Sequence, residues 1–180
     1  MDLKSLVTPI EQALRATRPR VLEAYRREAA PARFKDDGSA ITDLDHALER
    51  DLSEALLQID ETWGVYGEES GTIREGTPTW HLDPVDGTAN FSRRVGVFGS
   101  QLALVDGLEP LFAAIYEPLV DEFTWAAKGL GTWHEGRRIH MPDRPRRHAL
   151  VCVDISSSGP VSYTHLRAHE TTSLISYAVF

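Results

Sequence analysis

Short apolar runs separated by turn residues follow one another between residues 99 and 134, and this pattern constrains the fold more than any other feature of the sequence. The runs are residues 99–105, 111–116, 122–126 and 131–134, and the turn pairs are Asp106-Gly107 and Glu135-Gly136. Asp-Gly between apolar runs is a strong hairpin signal. Strands joined by turns this short pair antiparallel. The pattern therefore predicts an antiparallel meander.

Two amphipathic helices are predicted ahead of these strands. Apolar side chains recur at helical spacing between residues 3 and 27, and Pro19 is expected to kink or split this first helix. After a polar loop, Thr42 is expected to open a second helix. Its apolar face carries Leu44, Leu48, Leu52, Leu56 and Ile59. With strand-like runs at 64–66 and 80–82, helices followed by antiparallel strands indicate an α+β fold.

The composition restricts the partners of the chain. It has 19 Lys and Arg against 27 Asp and Glu, a net charge of −8, which argues against nucleic acid binding. No apolar stretch approaches the ~20 residues of a membrane span, and no export signal is visible. The single cysteine, Cys152, cannot form an internal disulfide. We expect a cytoplasmic protein with no membrane partner.

The chain is predicted to divide into three segments. Residues 141–148 are proline-rich and basic, as in a linker, so residues 1–148 form an N-terminal α+β domain. Residues 149–160 would start a truncated second α/β domain. Residues 161–180 carry little charge and show no sustained apolar period, and they look like translated vector or adapter sequence. We predict that this tail is not native.

The segment 80–91, WHLDPVDGTANF, carries the strongest chemical signal. Asp83 and Asp86 lie three apart where a strand meets a short helix, so both carboxylates can converge on a hard cation such as Mg²⁺. The Val85 carbonyl lies between them and could add a ligand. Gly87 and Thr88 would offer backbone N–H groups to a phosphate. The alternative is a surface double turn, because all these residues are turn formers.

Two other acidic motifs accompany this segment. Glu68, in the sequence GEES, follows a strand-like run and could project from its end, or belong to a solvated acidic loop. In ITDLD, Thr42 and Asp45 have the spacing of a helix capping box, which is a purely structural use. Clustered carboxylates repel a phosphate unless cations lie between them. The three motifs together therefore favour metal ligands.

The motifs ITDLD, GEES and WHLDPVDGTANF, followed by AAIYEPLVDEFTWAAKGLGTWHEGRRI, resemble the inositol monophosphatase family of Mg-dependent, lithium-sensitive phosphatases. The resemblance covers residues 3–154. It implies N-terminal helices packed on an antiparallel sheet, as the front part of a layered αβαβα fold. Haloacid-dehalogenase phosphatases instead have aspartates two apart, so a covalent aspartyl-phosphate is disfavoured.

The resemblance also implies roles for individual residues. The Mg²⁺ ligands would be Glu68, Asp83, the Val85 carbonyl and Asp86, with two or three ions per site in a complete enzyme. Asp45 and Thr88 would position and help deprotonate the attacking water, with Glu68 as a further catalytic residue. Gly87 and Thr88 would bind the substrate phosphate. Glu69 is treated as a neighbour of the site, and residues 1–148 become its metal- and phosphate-binding domain.

The implied reaction is Mg-dependent hydrolysis of a small phosphomonoester by metal-activated water. Because Ala-Asn-Phe follows Asp-Gly-Thr, myo-inositol monophosphate is the first substrate considered. The alternatives are 3′-phosphoadenosine 5′-phosphate, histidinol phosphate and fructose 1,6-bisphosphate. The chain lacks the family's later Trp-Asp motif, which supplies another ligand, so an inactive metal-binding fragment is the second hypothesis. The complete enzyme is expected to be a homodimer.

Overall fold

The computed structural model describes residues 1–27, 33–34, 40–41 and 43–140. In these ranges the helices are a 3₁₀ turn at Leu3–Leu6, α1 at Val7–Arg26, α2 at Asp43–Leu57 and α3 at Thr88–Ser92. The strands are β1 Arg33–Phe34, β2 Ala40–Ile41, β3 Gly64–Gly67, β4 Gly71–Arg74, β5 Thr79–Asp86, β6 Gly99–Asp106, β7 Glu109–Glu117, β8 Glu122–Ala127, β9 Gly131–His134 and β10 Arg137–Ile139. Thr42, the predicted boundary near residue 148 and the predicted tail lie outside the described residues.

Strands β3 to β10 form one eight-stranded sheet in the order β10-β9-β8-β7-β6-β5-β3-β4. The meander from β6 to β10 is antiparallel throughout, as predicted. The predicted Glu135-Gly136 turn joins β9 to β10, whereas the β6–β7 turn falls at residues 107–108, one position after the predicted Asp106-Gly107 pair. Glu135 and Gly136 have positive φ, as a two-residue type I′ hairpin turn requires. Two-stranded pairing of β1 with β2 was not predicted, because each strand has only two residues in a polar loop.

The sheet contains one parallel pair among its described strands, β3 with β5, and this pair was not predicted. Gly64 pairs with Thr79 and Gly67 with Leu82. The chain leaves β3, forms β4 at the outer edge of the sheet, and returns to the inner side of β3 as β5. Because parallel strands end at the same edge of a sheet, the residues after β3 and those at the end of β5 lie side by side.

Strand β5 is longer than predicted. The sequence predicts a strand over 80–82 and allows a surface double turn after it, whereas the chain stays extended to Asp86. The pairing with β6 shifts between Asp83 and Asp86, and the Ser100 hydroxyl donates to the Pro84 carbonyl at 2.7 Å. Irregular strand pairing of this kind is common next to active sites. The double-turn alternative is therefore wrong for residues 83–86.

Helices α1 and α2 contribute to the core against one face of the sheet. The largest fully buried side chains include Ile10, Leu14, Leu48, Leu52, Leu56, Trp80, Leu102, Leu104, Phe112 and Tyr116. Helix α1 continues through Pro19, so the predicted split does not occur. A proline inside a helix costs ~3 kcal/mol or more. Burying Ile10, Leu14 and Val21 contributes about 1.5–3 kcal/mol each, which exceeds that cost.

The α+β prediction is confirmed, with helices packed on a mostly antiparallel sheet. Among the described helices, none combines the length and the apolar character needed to cross a bilayer. The functional consequence of the fold lies in its one departure from the meander. The parallel pair β3–β5 brings the GEES motif beside the DPVDGT motif.

Candidate metal and phosphate site

The parallel strands hold Glu68 and Asp83 next to each other. The Glu68 backbone N–H donates to the Leu82 carbonyl at 2.9 Å, which continues the β3–β5 pairing by one residue. The side chains of Glu68 and Asp83 are hydrogen-bonded to each other. Asp83 also accepts a hydrogen bond from the Val85 N–H at 3.1 Å, which helps to orient its carboxylate. The predicted ligands Glu68 and Asp83 are thus brought together.

The protonation of Asp83 reflects this crowding. Burial raises the pKa of the Asp83 carboxyl well above its ordinary range, and the charges of Glu68 and Asp86 and the hydrogen bond with Glu68 raise it further. A carboxyl that keeps its proton because like charges surround it becomes ionised when a cation enters. A divalent cation bound between Glu68 and Asp83 would therefore stabilise the ionised form of both carboxylates.

Asp86 lies at the end of the same strand and acts on Asp83 through its charge. Its carboxylate accepts a hydrogen bond from the Gln101 amide of β6, and the side chain is exposed. Within the described ranges, no three Asp, Glu, His or Cys side chains are gathered tightly enough to hold one ion. The described donors are carboxylates, with a backbone carbonyl nearby, and these oxygens suit Mg²⁺, which keeps several waters when bound. The donor chemistry fits the metal, although a closed cage is not formed.

Asp45 and Thr88 meet across the interface between α2 and α3. The Thr88 hydroxyl lies 3.0 Å from Asp45 Oδ1 and 2.8 Å from the Val85 carbonyl oxygen. Asp45 is only 1% exposed. The side-chain hydroxyl holds one proton, so it donates to one of these oxygens at a time. The capping-box alternative for Asp45 depends on Thr42, which lies outside the described residues, while the contact of Asp45 with Thr88 is direct.

Gly87 makes the turn between β5 and α3. Its φ is 87°, in the left-handed region that favours glycine, and an added Cβ would come within 3.0 Å of the Val97 carbonyl oxygen. The Gly87 carbonyl accepts from the N–H groups of Asn90 and Phe91 at 2.8 and 2.9 Å. Thr88 is the first residue of α3, and its hydroxyl contacts the Val85 carbonyl; phosphate binding at this turn stays a prediction.

Two residues near the site were missed by sequence reasoning. Gln101 donates to Asp86, and nothing in the sequence links an amide in β6 to that carboxylate. Glu49 is 1% exposed and accepts the Glu69 backbone N–H at 2.8 Å. A signal for Glu49 does exist, because it lies four residues after Asp45 on a helix with an apolar face. A carboxylate at that spacing points to the same side of α2 as Asp45.

Comparison with known proteins gives one family model, described as the inositol monophosphatase family, which matches residues 2–176. The match extends into the segment predicted to be a foreign tail. The sequence is 34% identical over 125 residues to a fructose-1,6-bisphosphatase/inositol-1-monophosphatase of Aquifex aeolicus, covering 68% of this chain and 47% of that protein. It is 37% identical over 109 residues to a histidinol-phosphatase of Mycobacterium tuberculosis, covering 59% of this chain and 42% of that protein.

Solved structures show the same fold. The extragenic suppressor protein suhB of Bartonella henselae matches with a TM-score of 0.71 and 24% identity, over 78% of this chain and 55% of that one. An inositol monophosphatase of Thermotoga maritima matches with a TM-score of 0.69 and 24% identity, over 79% of this chain and 55% of that one. The chain thus spans about half the length of the curated relatives and solved structures that it matches.

Proposed function

The chain belongs to the inositol monophosphatase family, and from this premise we propose that it forms the metal- and phosphate-binding half of a Mg-dependent phosphomonoester hydrolase. The observation that supports the proposal most strongly is the pair Glu68–Asp83, hydrogen-bonded at the end of the parallel strands with Asp86 beside it. An acidic cluster at this place repels a phosphate by itself. A divalent cation removes that repulsion and makes the same cluster attractive to the substrate.

Glu68, Asp83, Asp86 and the Val85 carbonyl would hold the metal. When bound, Mg²⁺ supplies positive charge that attracts the phosphate and lowers the pKa of a nearby water. The chain's contribution is orientation. The parallel strands set the separation of Glu68 and Asp83, and the bond from the Val85 N–H fixes the Asp83 carboxylate.

Asp45 and Thr88 would accept the proton that the attacking water loses. When the Thr88 hydroxyl donates its hydrogen bond to Asp45, the lone pairs of the Thr88 oxygen can accept a hydrogen bond from water. The water proton would pass to the Thr88 oxygen as the Thr88 proton passes to Asp45. Asp45 is buried, so its contact with the Thr88 hydroxyl is shielded from bulk water.

Gly87 and Thr88 would bind the phosphate through their backbone N–H groups at the start of α3. The left-handed conformation of Gly87 supports this use, because it turns the chain sharply between the metal-binding strand and the helix. The phosphate would then lie between these N–H groups and the cation. In that position the phosphorus would lie within reach of a water oriented by Thr88.

The first substrate proposed is myo-inositol monophosphate. The relatives that support a choice differ in the activities their names state: fructose-1,6-bisphosphatase/inositol-1-monophosphatase, histidinol-phosphatase and 3′(2′),5′-bisphosphate nucleotidase. These names share a phosphorylated small molecule as substrate. The second half of the relatives, beyond the stretch this chain matches, would provide most contacts to the alcohol part.

A second candidate function is a metal-binding fragment without catalytic activity. Two observations favour it for the 180-residue chain alone. The chain spans 47% of the Aquifex aeolicus relative. Within the described ranges, the acidic side chains do not close a three-ligand set around one ion.

Phosphate release distinguishes the two candidates. The 180-residue chain, alone and joined to the C-terminal part of the Aquifex aeolicus relative, would be assayed with Mg²⁺ on inositol 1-phosphate, histidinol phosphate, 3′-phosphoadenosine 5′-phosphate and fructose 1,6-bisphosphate. We expect release by the joined protein, fastest from inositol 1-phosphate, and its loss in Glu68→Gln. Release by the 180-residue chain alone would exclude the inactive fragment. A folded joined protein that hydrolyses none of the four would refute the hydrolase proposal.

A further inference from the structure

Glu49 is a buried carboxylate that the proposed reaction does not use. It lies one helical turn after Asp45 on α2, with a residue exposure of 1%. Its helix neighbours Leu48 and Leu52 belong to the apolar core. Burying a carboxylate is costly unless hydrogen bonds compensate for the lost water. The groups that contact the Glu49 carboxylate therefore show what this buried side chain holds in place.

The carboxylate of Glu49 lies against the backbone of the GEES turn on both sides of Glu68. Glu49 Oε2 accepts the Glu69 N–H at 2.8 Å. On the other side, a Cβ added to Gly67 would lie 2.4 Å from the same Oε2 atom and 2.4 Å from the Glu49 carboxyl carbon. A side chain at position 67 would therefore force the Glu49 carboxylate to move away from the turn. Gly67 and Glu69 are therefore both positioned by one buried side chain.

Glu68 lies between these two contacts. Its own N–H is bonded to the Leu82 carbonyl, so the backbone on which it stands is fixed from β5 and from α2. Its side chain reaches Asp83 from this position. Without Glu49, the Glu69 N–H would lose its acceptor and the turn would gain space toward α2. The direction in which Glu68 projects depends on the turn.

We propose that Glu49 is a positioning residue that holds the backbone of residues 67–69 so that Glu68 stands beside Asp83, and that it thereby sets the affinity of the site for Mg²⁺. The inference rests on the proposed function of this site. Glu49 touches neither the metal nor the substrate in this scheme. Supporting residues of this kind affect metal affinity by about 10–100-fold.

The test is Mg²⁺ binding by the 180-residue chain, measured by isothermal titration calorimetry on Glu49 and Gly67 variants. We expect Glu49→Ala to weaken binding by about tenfold or more. Glu49→Gln keeps an oxygen that can accept the Glu69 N–H, and its affinity should stay within about threefold of the native value. Gly67→Ala should weaken binding about as much as Glu49→Ala, since its methyl group collides with the carboxylate.

The double variant provides a sharper test than the single ones. Glu49→Ala removes the group that the methyl introduced by Gly67→Ala would meet, so the two substitutions together should bind Mg²⁺ no more weakly than Glu49→Ala alone. Additive losses would contradict the contact. Hydrogen exchange at the Glu69 amide gives a readout without metal, with faster exchange expected in Glu49→Ala and near-native exchange in Glu49→Gln.

Leu56→Ala is the matched control for lost stability. Leu56 lies on the same helix about two turns after Glu49, is 1% exposed and belongs to the apolar core. This variant should lower the melting temperature while leaving the Mg²⁺ affinity unchanged. A merely structural role for Glu49 would give Glu49→Ala the same behaviour as Leu56→Ala, and that result would overturn the inference.

Asp83→Asn separates the two proposals. Native affinity for Mg²⁺ in Asp83→Asn, or no binding by the native chain, would refute the proposed metal site itself. Binding that is lost in Asp83→Asn but native in Glu49→Ala would leave the metal site intact and refute the positioning role. If Glu49→Ala does not fold, Glu49→Gln and Gly67→Ala still decide the question, because equal affinities of these two variants would contradict the proposal.

Discussion

The fold holds two groups of three carboxylates in different electrostatic surroundings. The Asp83 cluster is Glu68, Asp83 and Asp86, and the Arg15 cluster is Glu11, Asp121 and Glu135 around Arg15. In the Arg15 cluster the guanidinium contacts the carboxylates of Glu11, Asp121 and Glu135 at 2.9, 2.5 and 2.8 Å. In the Asp83 cluster the charges that act on Asp83 are those of other carboxylates.

The difference between the clusters appears in the pKa values of Asp121 and Asp83. A hydrogen bond from Tyr116 lowers the pKa of Asp121, with Arg15 lowering it further, whereas burial and two acidic neighbours raise the pKa of Asp83. The Arg15 cluster joins α1 to the turns after β7 and β9, and its charge is balanced within the protein. In the Asp83 cluster the charges of Glu68 and Asp86 repel the Asp83 carboxylate, and a bound cation would reduce this repulsion. This contrast distinguishes a structural cluster from a ligand site.

The largest expected effect comes from Asp83→Asn, which keeps the shape of the side chain and removes its charge. Because a metal ligand is lost, Mg²⁺ affinity should fall by about 100-fold or more, above the usual range for supporting residues. In metal-free buffer the same variant should be more stable than the native chain, since one of three mutually repelling carboxylates is gone. Calorimetric titration and thermal unfolding measure the two effects.

Asp106→Asn is the charge-matched control for Asp83→Asn. Asp106 is exposed and is the last residue of β6, at the end of the β5–β6 pair opposite Asp86. It should leave both Mg²⁺ affinity and metal-free stability near native. Equal behaviour of the two variants would mean that net charge, rather than the Asp83 cluster, controls metal binding.

The next effect concerns Thr88, measured in the chain joined to the C-terminal part of the Aquifex aeolicus relative. Thr88→Ala should lower the rate of phosphate release by about 100-fold, the lower end of the range for general acid–base groups, because Asp45 loses the hydroxyl that connects it to water. Thr88→Ser keeps the hydroxyl and should retain most activity. Steady-state kinetics and Mg²⁺ titration together test this. A parallel fall in Mg²⁺ affinity would indicate a role in metal binding instead.

A smaller effect is expected for Arg15→Ala in the Arg15 cluster. Removing the guanidinium leaves three carboxylates close together, and the loss of this network should lower the free energy of unfolding by about 1–2 kcal/mol. Mg²⁺ affinity should not change. Arg27→Ala breaks only an exposed helical pair with Glu23 and should cost about 0.5 kcal/mol or less. Urea unfolding of both variants measures the difference.

The pH dependence of stability separates the two clusters by the direction of its slope. The pKa of Asp121 is lowered on folding, so its stabilising contribution is present above the unfolded pKa near 3.8 and is lost as pH falls through the folded pKa. The stability gap between the native chain and Asp121→Asn should therefore close at acid pH. The pKa of Asp83 is raised, so metal-free native protein loses stability relative to Asp83→Asn as pH rises above about 4.

Thermal unfolding between pH 3 and 8 without Mg²⁺ compares these two slopes directly. The variants should show opposite trends relative to the native chain. The same sign for both would contradict the distinction between a cluster that contains Arg15 and one in which acidic neighbours raise the pKa of Asp83. Adding Mg²⁺ should reduce the pH dependence that comes from Asp83 and leave that from Asp121 unchanged.

Much of the site could be predicted because its residues are close in sequence. Asp83, Val85, Asp86, Gly87 and Thr88 lie within six positions, so a strand-to-helix turn alone brings them near one another. The role of Glu49 could not be predicted with the same ease. Its partner Glu69 is twenty residues away on another element, and only the packing of α2 against β3 brings the two together.

The sequence by itself determined the α+β class, the antiparallel meander and the family, because turn pairs, helical periodicity and the motif DPVDGT depend on local chemistry. Only the tertiary structure decided that β3 and β5 run parallel, that β5 extends to Asp86, and that α1 passes through Pro19. These features depend on contacts between distant segments, whose energies exceed the local preferences of the residues involved. The meeting of Glu68 with Asp83 follows from the parallel pair, and no local pattern specifies it.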